Sequence, residues 1–170
     1  MSLREHFLTL ARYHQWATSR LLDEHVARLP DADYRRDCGL FFKSIHGTLN
    51  HLLVAELSLW LRRFVEGVSP EVRLDGEAEA DRARLHRSLL DGAAQWLNFV
   101  EAQPASRFEQ TLRYQTTSRR MVELPFAAAL AHVFNHGTHH RGQISAALTS
   151  MGHAMPLLDL VFMLQQRAPR

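Results

Sequence analysis

Between Phe126 and Met151 the chain contains no proline, and Phe126, Leu130, Val133, Ile144, Ala147 and Met151 fall at helical spacing. That periodicity describes a long helix with one buried stripe. The same stripe passes through Gly137 and His140. A neutral imidazole buried there without a partner costs about 1–3 kcal/mol, so something inside the fold has to engage it. The segment His132-Val-Phe-Asn-His136-Gly-Thr-His139-His140-Arg141-Gly142-Gln143-Ile144 supplies more than one such ring. His136 and His140 stand one turn apart and project side by side, the arrangement that forms half of a metal site on a helix.

The rest of the chain divides at its prolines and glycines into further helical stretches. Ser2 followed by Glu5 is a capping box, and Leu3, Phe7, Leu10, His14, Ala17, Leu21 and Leu22 carry a first helix to the stop at Pro30. Residues 31–40 read as a polar connection. Ser44 is a good N-cap for a second helix ending near Gly67, with Ile45, Leu49, Leu52, Leu53, Leu59, Trp60 and Phe64 apolar. A loop over residues 68–78 leads to a third helix, expected from Glu79 to Glu101, with Leu85, Leu89, Ala93, Trp96 and Val100 inward. Short alternating runs on either side of Thr117-Ser118-Arg119 suggest a small β-hairpin. Pro125 suits the first turn of the fourth long helix, which ends before Gly152, and a short final helix is expected from Pro156. The fold class is therefore all-α, a four-helix bundle, read as one domain over residues 1–170.

Composition narrows the function. With 46% hydrophobic and 22% charged residues this is an ordinary globular chain. Its net charge of +2 is scattered as Arg35-Arg36, Arg62-Arg63 and Arg119-Arg120, so nucleic acid is not an expected partner. Cys38 is the single cysteine, which rules out an intrachain disulfide or a cysteine-rich zinc site and leaves histidine and carboxylate as ligands. The opening Met1-Ser-Leu-Arg-Glu-His has no charged segment followed by an apolar run, and no stretch approaches the ~18 apolar residues of a membrane span. A cytoplasmic protein with no membrane partner is expected.

Of the eleven histidines, His6, His25, His86 and His153 read as surface or helix-end residues, His46 as a solvated first-turn residue, and His14 as a hydrogen-bonded core imidazole. His51 falls near the inward face of the second helix. Joined to an inward His136/His140 pair, it would complete the three protein ligands of a catalytic zinc site, leaving a fourth position for water or substrate. A His132/His136 pair is also geometrically possible, although His140 lies nearer the centre of the stripe; His132 then becomes either a residue that supports a ligand ring or a rim residue. His139 points about 100° away from His140. Glu56 and Asp159 are candidates for the carboxylate that orients a ligand ring. Trp16, Trp60 and Trp96 read as packing residues, and Arg141-Gly142 as a site of close helix approach or open space.

These residues resemble the DinB/YfiT-like family of damage-inducible metalloenzymes. The resemblance rests on Tyr13-His-Gln-Trp16, on Ser44-Ile45 leading through Thr48-Leu49 to His51, on Trp60, on the His132–Gln143 motif above all, and on Pro156-Leu157-Leu158-Asp159. It implies a bundle of up-down-down-up topology, a homodimer, and a divalent metal, zinc or nickel, held by His51, His136 and His140. Characterised relatives include thiol-dependent S-transferases and a mycothiol-dependent maleylpyruvate isomerase. The expected function is that of a metal-dependent enzyme in which the ion activates a low-molecular-weight thiol or water toward a small-molecule substrate. The alternatives are a metal-dependent hydrolase and a metal-binding stress protein without turnover.

Overall fold

A computed structural model describes residues 1–167. Helix α1 (Leu3–Ser19) starts at Ser2, whose hydroxyl accepts from the Glu5 N–H while its own N–H donates to the Glu5 carboxylate. It continues through wide π-type turns at Arg20–His25 and a tight turn at Val26–Arg28. The expected polar connection contains a short helix, α2 (Asp31–Arg35), because Tyr34 is fully buried against the bundle. Helix α3 covers residues 45–65: ordinary α geometry over Ile45–Leu52, wide π-type turns over Leu53–Leu61, and a last α turn at Arg62–Val65. Gly67, at φ 70°, follows its end.

Helix α4 (Arg82–Glu101) begins three residues later than expected, since Asp81 is the cap and accepts from the Arg84 N–H. Strands β1 (Thr111–Gln115) and β2 (Met121–Pro125) pair antiparallel, with Leu112 opposite Leu124 and Tyr114 opposite Val122. Pro125 closes β2 and caps α5 (Phe126–Ser150) instead of entering its first turn. The last helix, α6, covers Leu160–Arg167, not the residues from Pro156. The segment before it is drawn onto α1, where the Tyr13 hydroxyl donates to the Leu158 carbonyl at 2.7 Å.

Cross-helix contacts fix the directions. Arg4, at the start of α1, reaches the Glu101 and Gln103 carbonyls at the end of α4, and Arg82, at the start of α4, reaches the Val26 and Leu29 carbonyls. Those two helices are antiparallel. Asn50 meets Glu79 and Phe64 meets Trp96, so α3 and α4 run the same way. Phe64 meets Phe126 while His51 meets His136, so α3 and α5 are antiparallel. The bundle is up-down-down-up, and the parallel α3–α4 step forces a long crossover over residues 66–81.

Among the described residues two large apolar clusters fill the interior, and a small third one joins Tyr13, Ala17 and Met163. One large cluster gathers Phe7, Phe64, Trp96, Phe126 and Val133; the other gathers Leu22, Tyr34, Ile45, Leu85 and Ile144. Between these two, at mid-height, lies a buried polar layer of His14, Glu56 and Arg141. The turn before α3 docks closely on that helix because Gly47 has no side chain: a methyl there would run into the Phe42 carbonyl oxygen. Gly47→Ala should therefore destabilise the protein by about 1–3 kcal/mol, as overpacking does, although alanine is the better helix former. Urea denaturation measures this, and an unchanged midpoint would show that the turn yields freely.

Candidate metal centre

His51 comes from α3, and His136 and His140 come from successive turns of the antiparallel α5. His51 Nε2 lies 3.1 Å from His136 Nε2, and His140 Nε2 lies 3.2 Å from that same atom. All three ligand atoms fall within 4.8 Å of one another. Three nitrogens about 2.0–2.1 Å from a tetrahedral ion stand roughly 3.3–3.4 Å apart, so the spacing fits such an ion.

The opposite ring nitrogens show where the protons are. His51 Nδ1 donates to the Leu74 carbonyl at 2.8 Å, and His140 Nδ1 donates to Gln143 Oε1 at 2.7 Å. Both rings consequently present a bare Nε2 lone pair to His136 Nε2. A neutral His136 has one N–H, which can satisfy at most one of them. Its own Nδ1 faces Glu56 Oε1 at 4.0 Å, and both of these buried atoms are without a hydrogen-bond partner. With the proton on that Nδ1, three lone pairs converge on one point. The donor set fits a cation.

Burial favours the neutral form of two of the three rings. Burial, helped by the neighbouring His136, pushes the His140 pKa down to about 4. Burial also lowers that of His51, against the opposing pull of its bond to Leu74. Phe42 covers the centre, its ring stacked on His51 at 3.9 Å between centroids and tilted toward His140 at 5.8 Å.

Behind His136 lies a chain of buried polar groups. The Arg141 guanidinium can only donate, so His14 Nδ1, at 3.0 Å, accepts, and His14 Nε2 donates to Glu56 Oε2 at 3.2 Å. Burial alone would raise the Glu56 pKa, but His14, His136 and Arg141 outweigh it and hold the carboxyl at about 2. Gly137 makes space for this layer: a methyl there would sit 2.8 Å from Glu56 Oε1 and 3.0 Å from Arg141 Nη1. In a regular α-helix residues 51 and 56 stand about 140° apart around the axis. The wide turns of α3 rotate Glu56 back toward the His51 side, an instance of π geometry at a polar site.

Other sequence expectations divide. His14 is a core imidazole as read, whereas His46 is buried, not solvated, because the α2 segment brings the Tyr34 hydroxyl to its Nδ1 at 3.1 Å. His132 is exposed at the rim, its ring tilted against Trp60 at 4.8 Å between centroids, and His139 is exposed too; neither joins the trio. Of the two carboxylates, Glu56 faces His136 and Asp159 is exposed. Gly142 stands in open space. Sequence reasoning missed Arg141, which is buried; its one available signal was its place four residues after Gly137 on the inward side of α5. It also missed Phe42 and the Leu74 carbonyl, which carry no periodic signal.

Glu56→Gln would leave the Arg141 charge without its buried complement and should cost about 3–5 kcal/mol. Because folding lowers the Glu56 pKa from 4.5 to about 2, its ionised form stabilises the fold fully above about 4.5, and that contribution is lost as pH falls toward 2. Denaturant midpoints measured across that window should fall less steeply for Glu56→Gln than for the wild type. Equal steepness would show that the carboxylate is not ionised in the core.

Comparison with known proteins places this geometry in a family. Residues 1–170 match the sequence model of the DinB family. Protein DinB of Bacillus subtilis (strain 168) is 26% identical over 156 residues, covering 88% of each chain. Among solved structures, YfiT from Bacillus subtilis superimposes with a TM-score of 0.65 at 12% identity, covering 89% of both chains. YfiT is described as a probable metal-dependent hydrolase with an unusual four-helix bundle topology. At that identity the likeness shows the shared fold, while the match over the full chain shows more: this protein belongs to the DinB family.

Proposed function

We propose that this chain is a metal-dependent hydrolase of small molecules, with His51, His136 and His140 holding a divalent cation through their Nε2 atoms. The observation that carries the reading is the convergence of those atoms at 3.1–3.2 Å while two of the opposite nitrogens donate to oxygen acceptors. An all-imidazole set suits zinc or nickel. When bound, such an ion supplies Lewis-acid activation and makes a water acidic enough to act as a nucleophile near neutral pH. The chain's own residues orient the ligands. Leu74 and Gln143 fix two rings, and Glu56 stands where it would accept from His136 once the ring is drawn to the ion, the usual role of a carboxylate behind a ligating histidine. YfiT, with the same fold, is described as a probable metal-dependent hydrolase, which agrees with this chemistry.

Thiol transfer is the second reading. All three candidate ligands are imidazoles, which bring no negative charge to an ion, and the one nearby carboxylate sits behind His136, so the full charge of the ion would act on a bound thiol and deprotonate it.

His51→Ala, His136→Ala and His140→Ala should each abolish tight binding of zinc or nickel, whereas His139→Ala should leave it nearly intact. Calorimetric titration of the purified protein measures this, and equal losses in all four variants would place the centre on a different face of α5. To separate the two chemistries, the metal-loaded protein is assayed with p-nitrophenyl acetate and, separately, with glutathione plus 1-chloro-2,4-dinitrobenzene. Metal-dependent release of p-nitrophenol is expected, and turnover confined to the thiol assay would favour transfer.

A further inference from the structure

A cavity of about 470 Å³ opens beside the histidine trio, between the turn before α3 and the crossover segment. Pockets of about 300–1,000 Å³ hold small organic ligands. Its two walls are the segments that hold His51. From the turn, Phe42 stacks on the His51 ring; from the crossover, Leu74 accepts the His51 Nδ1–H just before Asp75, Gly76 and Glu77 line the cavity. Cavity and trio thus share Phe42 as a partition.

Most of the polar lining is matched internally. His46 Nε2 lies 2.6 Å from Glu77 Oε1, and its other nitrogen meets the Tyr34 hydroxyl. Asn50 receives the Glu79 N–H at 2.9 Å and donates to the Glu79 carbonyl at 3.1 Å. Asp75 pairs with Arg73 at 3.4 Å. Lys43 differs, because among the described residues no carboxylate pairs with it, unlike the other charges of the lining. It is the only lysine in the chain, and the turn holds it at φ 66° through bonds from its N–H to the Leu40 carbonyl and from the Cys38 N–H to its own carbonyl. Beside it Phe41 is 83% exposed and packs edge-on against Phe42 at 4.9 Å between centroids, so one face of its ring is open to a ligand.

We propose that this cavity is a binding pocket adjoining the metal centre, screened from it by Phe42, and takes a small carboxylate with a planar apolar body. The anion pairs with Lys43, and the body lies against Phe41 and Phe42, one ring's thickness from His51. The metal reading concerns the trio alone; binding in the pocket does not require the ion.

Amide and imidazole resonances of the labelled protein test this by titration with benzoate and with its neutral isostere benzamide. Saturable shifts are expected at the Ser44, Gly47 and Gly76 amides, with the His51 ring resonance following the same curve. Benzoate should bind about three- to fivefold more tightly than benzamide, the scale of one solvent-accessible ion pair. That preference should vanish in Lys43→Met and persist in His136→Ala, which lacks a candidate ligand. Absence of saturable shifts at these amides, a motionless His51 resonance, equal binding of the two probes, or a preference that survives Lys43→Met would each overturn the proposal. Should benzoate bind as expected while neither protein takes up metal, the pocket stands and the metal reading falls.

Discussion

A carboxylate in the middle of an apolar bundle needs compensation, and most of what is unusual in this structure follows from how Glu56 gets it. Burial opposes its ionisation, yet His14, His136 and Arg141 together hold it charged. The polar layer they form separates two apolar clusters that would otherwise merge along the bundle axis. It explains why a glycine stands at position 137 and why α5 buries an arginine. It also sets the far side of the histidine trio, since one Glu56 oxygen is engaged by His14 and the other is turned toward His136. A buried charge matched on several sides is tolerable; one that loses a partner is strongly destabilising.

An imidazole has two nitrogens, and whatever engages one decides what the other offers. The three rings obtain that control from different levels of structure. His140 is set by Gln143, three residues along the same helix. His136 faces a carboxylate from a neighbouring helix. His51 depends on the Leu74 carbonyl of the crossover segment. The topology makes this last contact available. A parallel α3–α4 step cannot be closed by a tight turn, and the long connection it requires passes over α3, where Asn50 and His46 tie it down through Glu79 and Glu77.

The family match and the shared bundle speak to architecture, whereas chemistry has to be argued from the site. YfiT retains the fold at 12% identity. What survives such divergence is the arrangement of helix axes, and that arrangement is what brings an α3 histidine against two α5 histidines. The same axes bring the turn at Phe42 and the crossover together around a cavity, so pocket and trio are products of one topology.

Much of this was legible in local pattern. Ser2 with Glu5, Ser44 and Gly67 mark helix ends through caps that operate within a few residues, and the stripe from Phe126 to Met151 buries as its period requires. The misreadings share a cause. Tyr34 and His46 looked like loop and surface because their partners lie across a chain reversal, and Pro156 looked like a helix start because the pull of Tyr13 on Leu158 is invisible from residue 156. By itself the sequence determined where the helices lie, which faces they bury, and that His136 and His140 project together, because each of these depends on rotation about a single helix axis. Tertiary structure alone decided that His51 meets that pair, that Glu56 is rotated toward it by the wide turns of α3, that Arg141 lies inside, and that Leu74 and Phe42 hold the His51 ring. Those facts are distances between atoms remote in the chain, and they are set by how helix axes pack and where a crossover runs, which no residue's periodicity records.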